Sequence, residues 1–343
     1  MHKHTVFTDD LNQECLRLGR QPGGRLFLLA DAWVAENYSN LLDRTLFEDT
    51  YLLKGGEATK CIENVISVCH WLQNHYAERS SVLVVMGGGS ILDMGGLAAA
   101  LYKRGMRLIF IPTTLMSMVD AAIGGKNAVN SGAGKNMLGT FYPPDYILSD
   151  IRFLSSLPIQ EIISGWVEMF KHALISGGDD WREFLNGWNP TELPPARIIE
   201  RSAMIKAQIS SADERENANR MVLNFGHTIG HALEAYFIRT PKPQTHGACV
   251  AIGMIAEIRL AMDLGKTNHE LGEKLIELLS RVEWVDMSTM PDFTEIADYL
   301  NQDKKIRAGH FNLVAFESPG AWCLFRQDNL EPIERAYRSL KEK

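Results

Sequence analysis

The chain has 343 residues, more than one compact core usually contains, so we expect two domains. Hydrophobic residues make up 45% and charged residues 22% of the chain, which is typical of a soluble globular protein. A net charge of −7 disfavours nucleic-acid binding, and there is no apolar run of about 18 residues that could cross a membrane. The first residues also lack a signal-peptide pattern, so we expect a cytoplasmic protein.

The first half of the chain alternates short apolar runs with helical patterns. Apolar runs that end in turn residues predict strands at 25–31, 50–54, 81–89 and 107–114. Helical patterns occupy residues 61–76 and 90–105 between these runs. Alternation of this kind predicts an α/β domain whose parallel sheet carries helices on its faces.

Three glycines, at 87–89, end the third predicted strand and lead into a helix. Ligands of parallel sheets bind at the carboxyl ends of the strands, where helix N-termini can hold a pyrophosphate. Asp31 ends the first strand and can accept ribose hydroxyls, while Glu57 and Lys60 follow the second. Because the usual GxGxxG pattern after the first strand is absent, this region predicts a nucleotide binder of non-standard order, with a tight turn as the alternative.

A polar, glycine-rich stretch follows at 112–144 and contains Lys126, Lys135 and Asn136. Long loops without secondary structure are uncommon unless they are functional. Two lysines flanked by glycines favour an anionic ligand that approaches the backbone. A solvated surface loop is the alternative.

Three histidines lie in one mostly apolar stretch in the second half of the chain. His227 and His231 are four residues apart in a helical pattern, so both imidazoles project near one face of a helix. His246 follows a proline-rich loop and begins a second helix, which can bring it back towards the first pair. Imidazoles suit Zn²⁺, and a catalytic zinc usually takes three protein ligands. These histidines therefore predict a metal site.

Glu168 is the candidate for a further, harder ligand. It lies in an apolar helical stripe with Lys171 three residues later, a place that has no packing use for a carboxylate. A single histidine on an apolar helix is more often a hydrogen-bonded core residue, but three histidines and a glutamate favour the metal. The HTIGH segment lacks the glutamate of HExxH proteases, and the five cysteines form no CxxC pair that would indicate a thiolate site.

Several ordered segments between about residue 25 and about residue 320 resemble the 3-dehydroquinate synthases of the sugar phosphate cyclase superfamily. These segments are GEATK, GGGSILDMGG, YKRG, PTTLMSMVD, GGK, GKNMLGTFY, EMFKH, DERE, LNFGHTIGHALE, HG and DKK. The resemblance implies an NAD-binding α/β domain at 1–157 and a mainly helical metal- and substrate-binding domain at 158–343, with the active site between them.

The activity implied by the resemblance is a phosphate-eliminating cyclisation in the shikimate pathway. The family converts 3-deoxy-D-arabino-heptulosonate 7-phosphate into 3-dehydroquinate and phosphate. The steps are transient oxidation by NAD, phosphate elimination, re-reduction and an intramolecular aldol closure. NAD is thus recycled, and the metal is Zn²⁺ or Co²⁺.

Carried over position by position, the resemblance implies three groups of site residues. The metal ligands are Glu168, His227 and His246. The catalytic and substrate-binding residues are Arg104, Asp120, Lys126, Lys135, Asn136, Lys171, Lys206, Arg220, Asn224, His231, Lys304 and Lys305. The nucleotide-binding residues are Asp31, Glu57, Lys60, Gly87, Gly88, Gly89, Asp93, Thr113 and Thr114. Arg104 matches an arginine that reaches the phosphate in a neighbouring subunit, which implies a homodimer, and either Lys304 or Lys305 could face the substrate.

This chain departs from the family pattern at a few positions. The family usually has VDSSVGGKTGVN where this chain has VDAAIGGKNAVN, and Trp33 replaces a short polar residue near the adenosine. The exact substrate and the adenosine contacts are therefore open. Alternatives are a cyclase of the amino-dehydroquinate, 2-deoxy-scyllo-inosose or 2-epi-5-epi-valiolone type, a polyol dehydrogenase of the glycerol-dehydrogenase type, and a metal-stabilised nucleotide-binding regulator. Asn224 disfavours the inosose and valiolone synthases, where an acidic residue is usual.

Overall fold

A computed structural model describes residues 5–19, 24–132, 134–282, 284, 287–302 and 310–341. The chain forms two compact units, one of residues 1–158 with 199–211 and the other of residues 159–198 with 212–343. Among the described residues, every helix is too short or too polar to span a lipid bilayer.

The first unit contains eight described strands and four α-helices before residue 158. The strands are β1 Thr5–Phe7, β2 Leu26–Asp31, β3 Asp49–Leu53, β4 Val82–Gly87, β5 Arg107–Pro112, β6 Lys126–Ser131, β7 Gly134–Phe141 and β8 Tyr146–Ser149. The helices are α1 Leu11–Gly19, α2 Ala32–Asn37, α3 Ile62–Asn74 and α4 Gly89–Leu101. All four predicted strands and both predicted helices are confirmed.

Six of these strands form one parallel sheet in the order β1-β8-β5-β4-β2-β3. From β2 the chain adds β3 on one side and then β4 and β5 on the other side. The strand order therefore switches between β2 and β4, which is where open α/β sheets bind their ligands. Ala30 in β2 pairs with Met86 in β4, so Asp31 and Gly87 end neighbouring strands at this crevice. The predicted parallel sheet is thus confirmed, and it places the two predicted nucleotide contacts side by side.

Helix α4 packs very closely on the sheet. A Cβ atom at Gly95 would lie 2.7 Å from Val85 and 2.9 Å from Leu29, so only glycine fits here. Both side chains belong to the buried core of this unit. The close contact fixes the N-terminus of α4 next to the carboxyl end of β4.

The stretch at 112–144 was predicted to be a long loop, and this prediction was wrong. It contains a short π-helical turn, Ser117–Ala121, and the antiparallel hairpin of β6 and β7. Most of β7 is exposed, so its sequence carries no apolar alternation that would indicate a strand. The buried Asn127 closes the base of the hairpin, because its Nδ2 donates to the carbonyl oxygens of Gly125 at 3.1 Å and Tyr142 at 2.7 Å.

The second unit is mainly helical, as predicted. Its helices are α5 Ile159–Ser176, α6 Gly178–Gly187, α8 His227–Phe237, α9 His246–Asp263, α10 His269–Leu279, α11 Phe293–Gln302 and α12 Leu330–Arg338, while α7, Ala196–Ala212, belongs mostly to the first unit. An antiparallel hairpin of β9, Phe311–Ser318, and β10, Ala321–Gln327, was not predicted.

Helices α8 and α9 approach each other backbone to backbone. A Cβ atom at Gly253 would overlap the carbonyl oxygen of Gly226, and one at Gly230 would lie 2.9 Å from the Cα of Val250. Residues 226 and 230 therefore face residues 253 and 250, so the two helices run antiparallel. This pairing brings the N-terminus of α9 next to the second half of α8.

Candidate functional site

Three side chains in the second unit converge as a potential metal site. Glu168 comes from α5, and His227 and His246 are the first residues of α8 and α9. Glu168 Oε1 lies 3.7 Å from the Nε2 atom of His227 and 3.8 Å from that of His246. One ligand atom from each residue lies within 4.8 Å of the others. Two imidazole nitrogens and a carboxylate oxygen are the donor set of a catalytic zinc site.

The state of Glu168 fits a bound cation. Its side chain is fully buried, and Oε1 makes no hydrogen bond with any described residue. The second oxygen, Oε2, forms an ion pair with Lys171, whose side chain is only 1% exposed. Because a buried charged oxygen without a partner is costly, a metal facing Oε1 would satisfy it.

Both histidines of this set use Nδ1 for a fixed contact. His227 Nδ1 lies 3.1 Å from the carbonyl oxygen of Phe225, and His246 Nδ1 lies 3.2 Å from Glu234 Oε2. A carbonyl oxygen and a carboxylate can only accept, so Nδ1 donates in each case. The Nε2 atom of each ring then carries the lone pair that a metal needs.

His231 is half-buried and lies beside Glu168, His227 and His246, but it is not part of their group of potential ligands. Its ring centroid is 5.1 Å from that of His227 and 5.9 Å from that of His246. With Glu234 and His246 it forms a second, overlapping group of potential ligands. The predicted proximity of all three histidines is therefore confirmed, and His246 is shared by both groups.

A compact loop carries Arg220 and Asn224 in the same unit. Asp213 accepts the backbone N–H groups of Asn217, Ala218 and Arg220 at 2.9, 2.7 and 3.1 Å. Burial acts to raise the pKa of Asp213, but these three donors together hold the pKa below its usual value. The guanidinium of Arg220 donates from Nη1 to the carbonyl oxygen of Glu214 at 2.9 Å, and the side chain is buried. The loop thus fixes a buried cation.

Asn224 ends this loop in contact with Glu216. Its Nδ2 donates to Glu216 Oε1 at 2.6 Å, which leaves Oδ1 as an acceptor. Glu216 has φ 56°, a left-handed conformation that non-glycine residues rarely adopt and that is common at functional sites. The resemblance includes the DERE segment but implies no role for Glu216, because one carboxylate in a polar loop is not by itself a sequence signal for a site residue.

In the first unit, the glycines at the end of β4 open the N-terminus of α4. Gly88 is the N-cap residue, and no side chain of the described residues caps the helix. The first backbone N–H groups of α4 are therefore available to an anion such as a pyrophosphate. Nearby, Thr113 is buried, and the backbone N–H of Thr114 donates to Ser117 Oγ at 3.0 Å.

Asp31 has a local structural role in addition to the predicted ligand contact. Its Oδ1 accepts the backbone N–H groups of Trp33 at 2.9 Å and Val34 at 3.4 Å, so it caps α2. A Cβ atom at Gly55 would overlap Oδ2, so that position requires glycine.

The other predicted nucleotide contacts are joined by ion pairs. Lys60 Nζ lies 2.5 Å from Asp93 Oδ2. Burial raises the pKa of Asp93, although the charge of Lys60 opposes that change. Glu57 Oε1 accepts from Asn130 Nδ2 at 2.8 Å and lies 3.4 Å from Lys135 Nζ. The structure thus links a predicted nucleotide contact with a predicted substrate contact.

The β6–β7 hairpin presents the remaining predicted anion-binding groups of this region. Lys126 is exposed at the start of β6. Asn136 has φ 54°, and its backbone N–H donates to Asn130 Oδ1 at 3.0 Å. A non-glycine residue held in this conformation is consistent with a ligand-binding position.

Asp120 and Lys206 form a tight pair. Lys206 Nζ lies 2.5 Å from Asp120 Oδ1 and donates to the Asp120 carbonyl oxygen at 2.7 Å. Lys206 is buried, so this contact satisfies a cation that would otherwise be costly. The pair connects α7 with the π-helical turn at 117–121.

Arg104 is exposed on a turn with three consecutive positive φ angles. Lys103, Arg104 and Gly105 have φ values of 49°, 63° and 111°. Lys103 Nζ donates to the carbonyl oxygen of Ala77 at 2.7 Å, which helps to hold this unusual turn. Lys304 and Lys305, also predicted to contact substrate, lie outside the described residues.

Two family models together match most of the chain. The profile described as 3-dehydroquinate synthase N-terminal matches residues 50–164, and that described as 3-dehydroquinate synthase C-terminal matches residues 165–306. A curated 3-dehydroquinate synthase from Pyrobaculum islandicum is 38% identical over 300 residues, which cover 84% of this chain and 84% of the relative.

Solved structures show the same fold. A 2-epi-5-epi-valiolone synthase from Streptomyces hygroscopicus with NAD⁺ and Zn²⁺ bound has a TM-score of 0.83 and 24% identity, covering 99% of this chain and 96% of that protein. A 2-deoxy-scyllo-inosose synthase complexed with carbaglucose-6-phosphate, NAD⁺ and Co²⁺ has a TM-score of 0.82 and 24% identity, covering 98% of this chain and 96% of that protein.

Proposed function

Because the chain belongs to the 3-dehydroquinate synthase family, we propose that it converts 3-deoxy-D-arabino-heptulosonate 7-phosphate into 3-dehydroquinate and phosphate. The observation that supports this proposal most strongly is Glu168 Oε1, which is buried, makes no hydrogen bond with a described residue, and faces two imidazole Nε2 atoms. A protein that only needed a packed core would not keep a charged oxygen in this state.

We assign the metal to Glu168, His227 and His246, and the dinucleotide to the crevice at the carboxyl ends of β2 and β4. When bound, the metal would act as a Lewis acid on substrate hydroxyls, and NAD⁺ would accept a hydride and later return it. The N-terminus of α4, which no described side chain caps, would hold the pyrophosphate. Lys60 and Asp93 would stabilise this side of the site as a pair.

The phosphate end of the substrate requires clustered donors. We assign it to Lys126, Lys135 and Asn136 on the β6–β7 hairpin, together with one of the lysines at 304 and 305. The exposed Arg104 would complete the phosphate site of a second copy of the chain, so the proposal includes a homodimer. We also place the enzyme in the cytoplasm.

His231 and the loop at 213–224 would bind the remaining hydroxyl and carboxylate groups of the substrate. His231 lies beside the metal ligands and would exchange a proton with a substrate hydroxyl. Arg220, buried and held by Asp213 and Glu214, would pair with the substrate carboxylate. Asn224 would present Oδ1 to a substrate hydroxyl, because its Nδ2 donates a hydrogen bond to Glu216.

Arg220→Ala tests whether the substrate carries a carboxylate. Without the guanidinium, the substrate carboxylate would be buried without its partner. Such a loss typically costs about 2 to 5 kcal/mol, which is about 30- to 5,000-fold in kcat/KM. We expect this loss with the natural substrate and a much smaller loss with an analogue that lacks the carboxylate. Steady-state kinetics with both compounds, with the exposed Arg326→Ala as matched control, gives the comparison.

An equal loss on both compounds would mean that Arg220 only holds the loop together. In that case the assignment to a carboxylate-bearing substrate fails, and a related cyclase acting on an uncharged sugar end becomes the better proposal.

A further inference from the structure

The antiparallel contact between α8 and α9 places Glu234 beside His246. Gly230 faces Val250 across this contact. Glu234 lies about one helical turn after Gly230, and His246 lies about one turn before Val250. The two side chains therefore meet at the same level of the helix pair, and Glu234 Oε2 lies 3.2 Å from His246 Nδ1.

His246 has more need of an orienting contact than His227. His227 is only 10% exposed, and the carbonyl oxygen of Phe225, two residues away, fixes its ring. His246 is 28% exposed and begins α9 directly after a proline-containing loop. Its Nδ1 contacts the side chain of Glu234 rather than the backbone, so Glu234 contributes to the orientation of the ring.

We propose that Glu234 is a positioning residue, which holds the His246 ring so that Nε2 faces Glu168 Oε1. In metal sites, a carboxylate on the second nitrogen of a ligand histidine fixes both its tautomer and its orientation. The role rests on the metal site of the proposed function but not on the identity of the substrate. It assigns a task to the last residue of the LNFGHTIGHALE segment, for which the resemblance implies no role.

The same geometry allows a competing role. His231, Glu234 and His246 also offer ligand atoms within 4.8 Å of one another, so Glu234 could instead bind a second metal ion directly. The two roles differ in stoichiometry. A positioning residue changes the affinity of one metal per chain, whereas a ligand of a second site changes the number of metals bound.

The test is Co²⁺ titration of the metal-free full chain, followed by d–d absorption and by competition with a chelator. Glu234→Ala should bind one Co²⁺ per chain about 10- to 100-fold more weakly than the parent protein, the range typical of such partners. Glu234→Gln should recover part of the affinity, because its amide oxygen can still accept from Nδ1. Glu273→Ala, a matched change at an exposed glutamate on α10, should leave affinity unchanged.

Three results would overturn this role. Parent-like affinity in Glu234→Ala would mean that the contact does not orient His246. A fall from two metals per chain to one would make Glu234 a ligand of a second site. A melting temperature of metal-free Glu234→Ala well below that of Glu273→Ala would indicate a general structural role. Metal binding is measured without substrate, so failure of turnover with the proposed substrate would leave this test intact.

Discussion

Replacing Glu168 by Gln is expected to abolish tight metal binding and to lower kcat/KM about 10³-fold or more. The metal as Lewis acid contributes several kcal/mol to the transition state, and each 1.36 kcal/mol is about tenfold in rate. The variant keeps the size of the side chain but removes the charge that faces the Nε2 atoms of His227 and His246. Elemental analysis after dialysis and steady-state kinetics measure the two effects.

The same variant should also destabilise the metal-free protein, because it leaves Lys171 as an unpaired cation with only 1% exposure. Removing one partner of a buried ion pair typically costs about 3 to 5 kcal/mol. The double variant Glu168→Gln with Lys171→Met removes both charges, so it should regain most of the melting temperature without regaining metal. This separates the ligand role of Glu168 from its part in the ion pair.

Parent-like metal content in Glu168→Gln would exclude Glu168 from the ligand set. Recovery of metal binding in the double variant would mean that the single variant lost metal through misfolding. Either result would contradict the metal site.

His231→Ala is expected to keep its metal and to lose about 10²- to 10⁴-fold in kcat, the usual contribution of a general acid or base. His231 lies beside the metal ligands, with its ring centroid 5.1 Å from that of His227, but Glu168 faces His227 and His246 instead. His246→Ala should lose metal and rate together. Metal analysis and kinetics of both variants distinguish the two kinds of role.

The exposed His269→Ala is the matched control for these histidine variants and should keep both metal and rate. Equal metal loss in His231→Ala and His246→Ala would show that His231 is a ligand. It would also favour the alternative group of His231, Glu234 and His246.

The parts of the structure that follow simple periodicity could be predicted from the sequence. The strands that end at Asp31 and Gly87 are continuous apolar runs, and a parallel sheet necessarily brings neighbouring carboxyl ends together. His227 and His246 begin helices because the residues after each repeat with helical spacing. These patterns identify the candidate metal donors and one edge of the nucleotide site.

Contacts made by polar side chains could not be predicted in this way. The β6–β7 hairpin is closed by the amide of Asn127 and lacks an apolar face on β7, so its sequence predicts a loop. The contact between Glu216 and Asn224 depends on a left-handed backbone that no propensity favours for glutamate. The contact between Glu234 and His246 joins residues on two helices and becomes visible only once their antiparallel packing is known.

We propose that this chain uses NAD as a recycled catalyst to eliminate phosphate and close a carbocycle. The most direct measurement is to incubate the metal-loaded protein with NAD⁺ and 3-deoxy-D-arabino-heptulosonate 7-phosphate. Inorganic phosphate, product mass and NADH absorbance are then followed together. We expect one phosphate and one 3-dehydroquinate per substrate consumed, with no net NADH. Stoichiometric NADH with an oxidised product that keeps its phosphate would contradict the claim and indicate a polyol dehydrogenase instead.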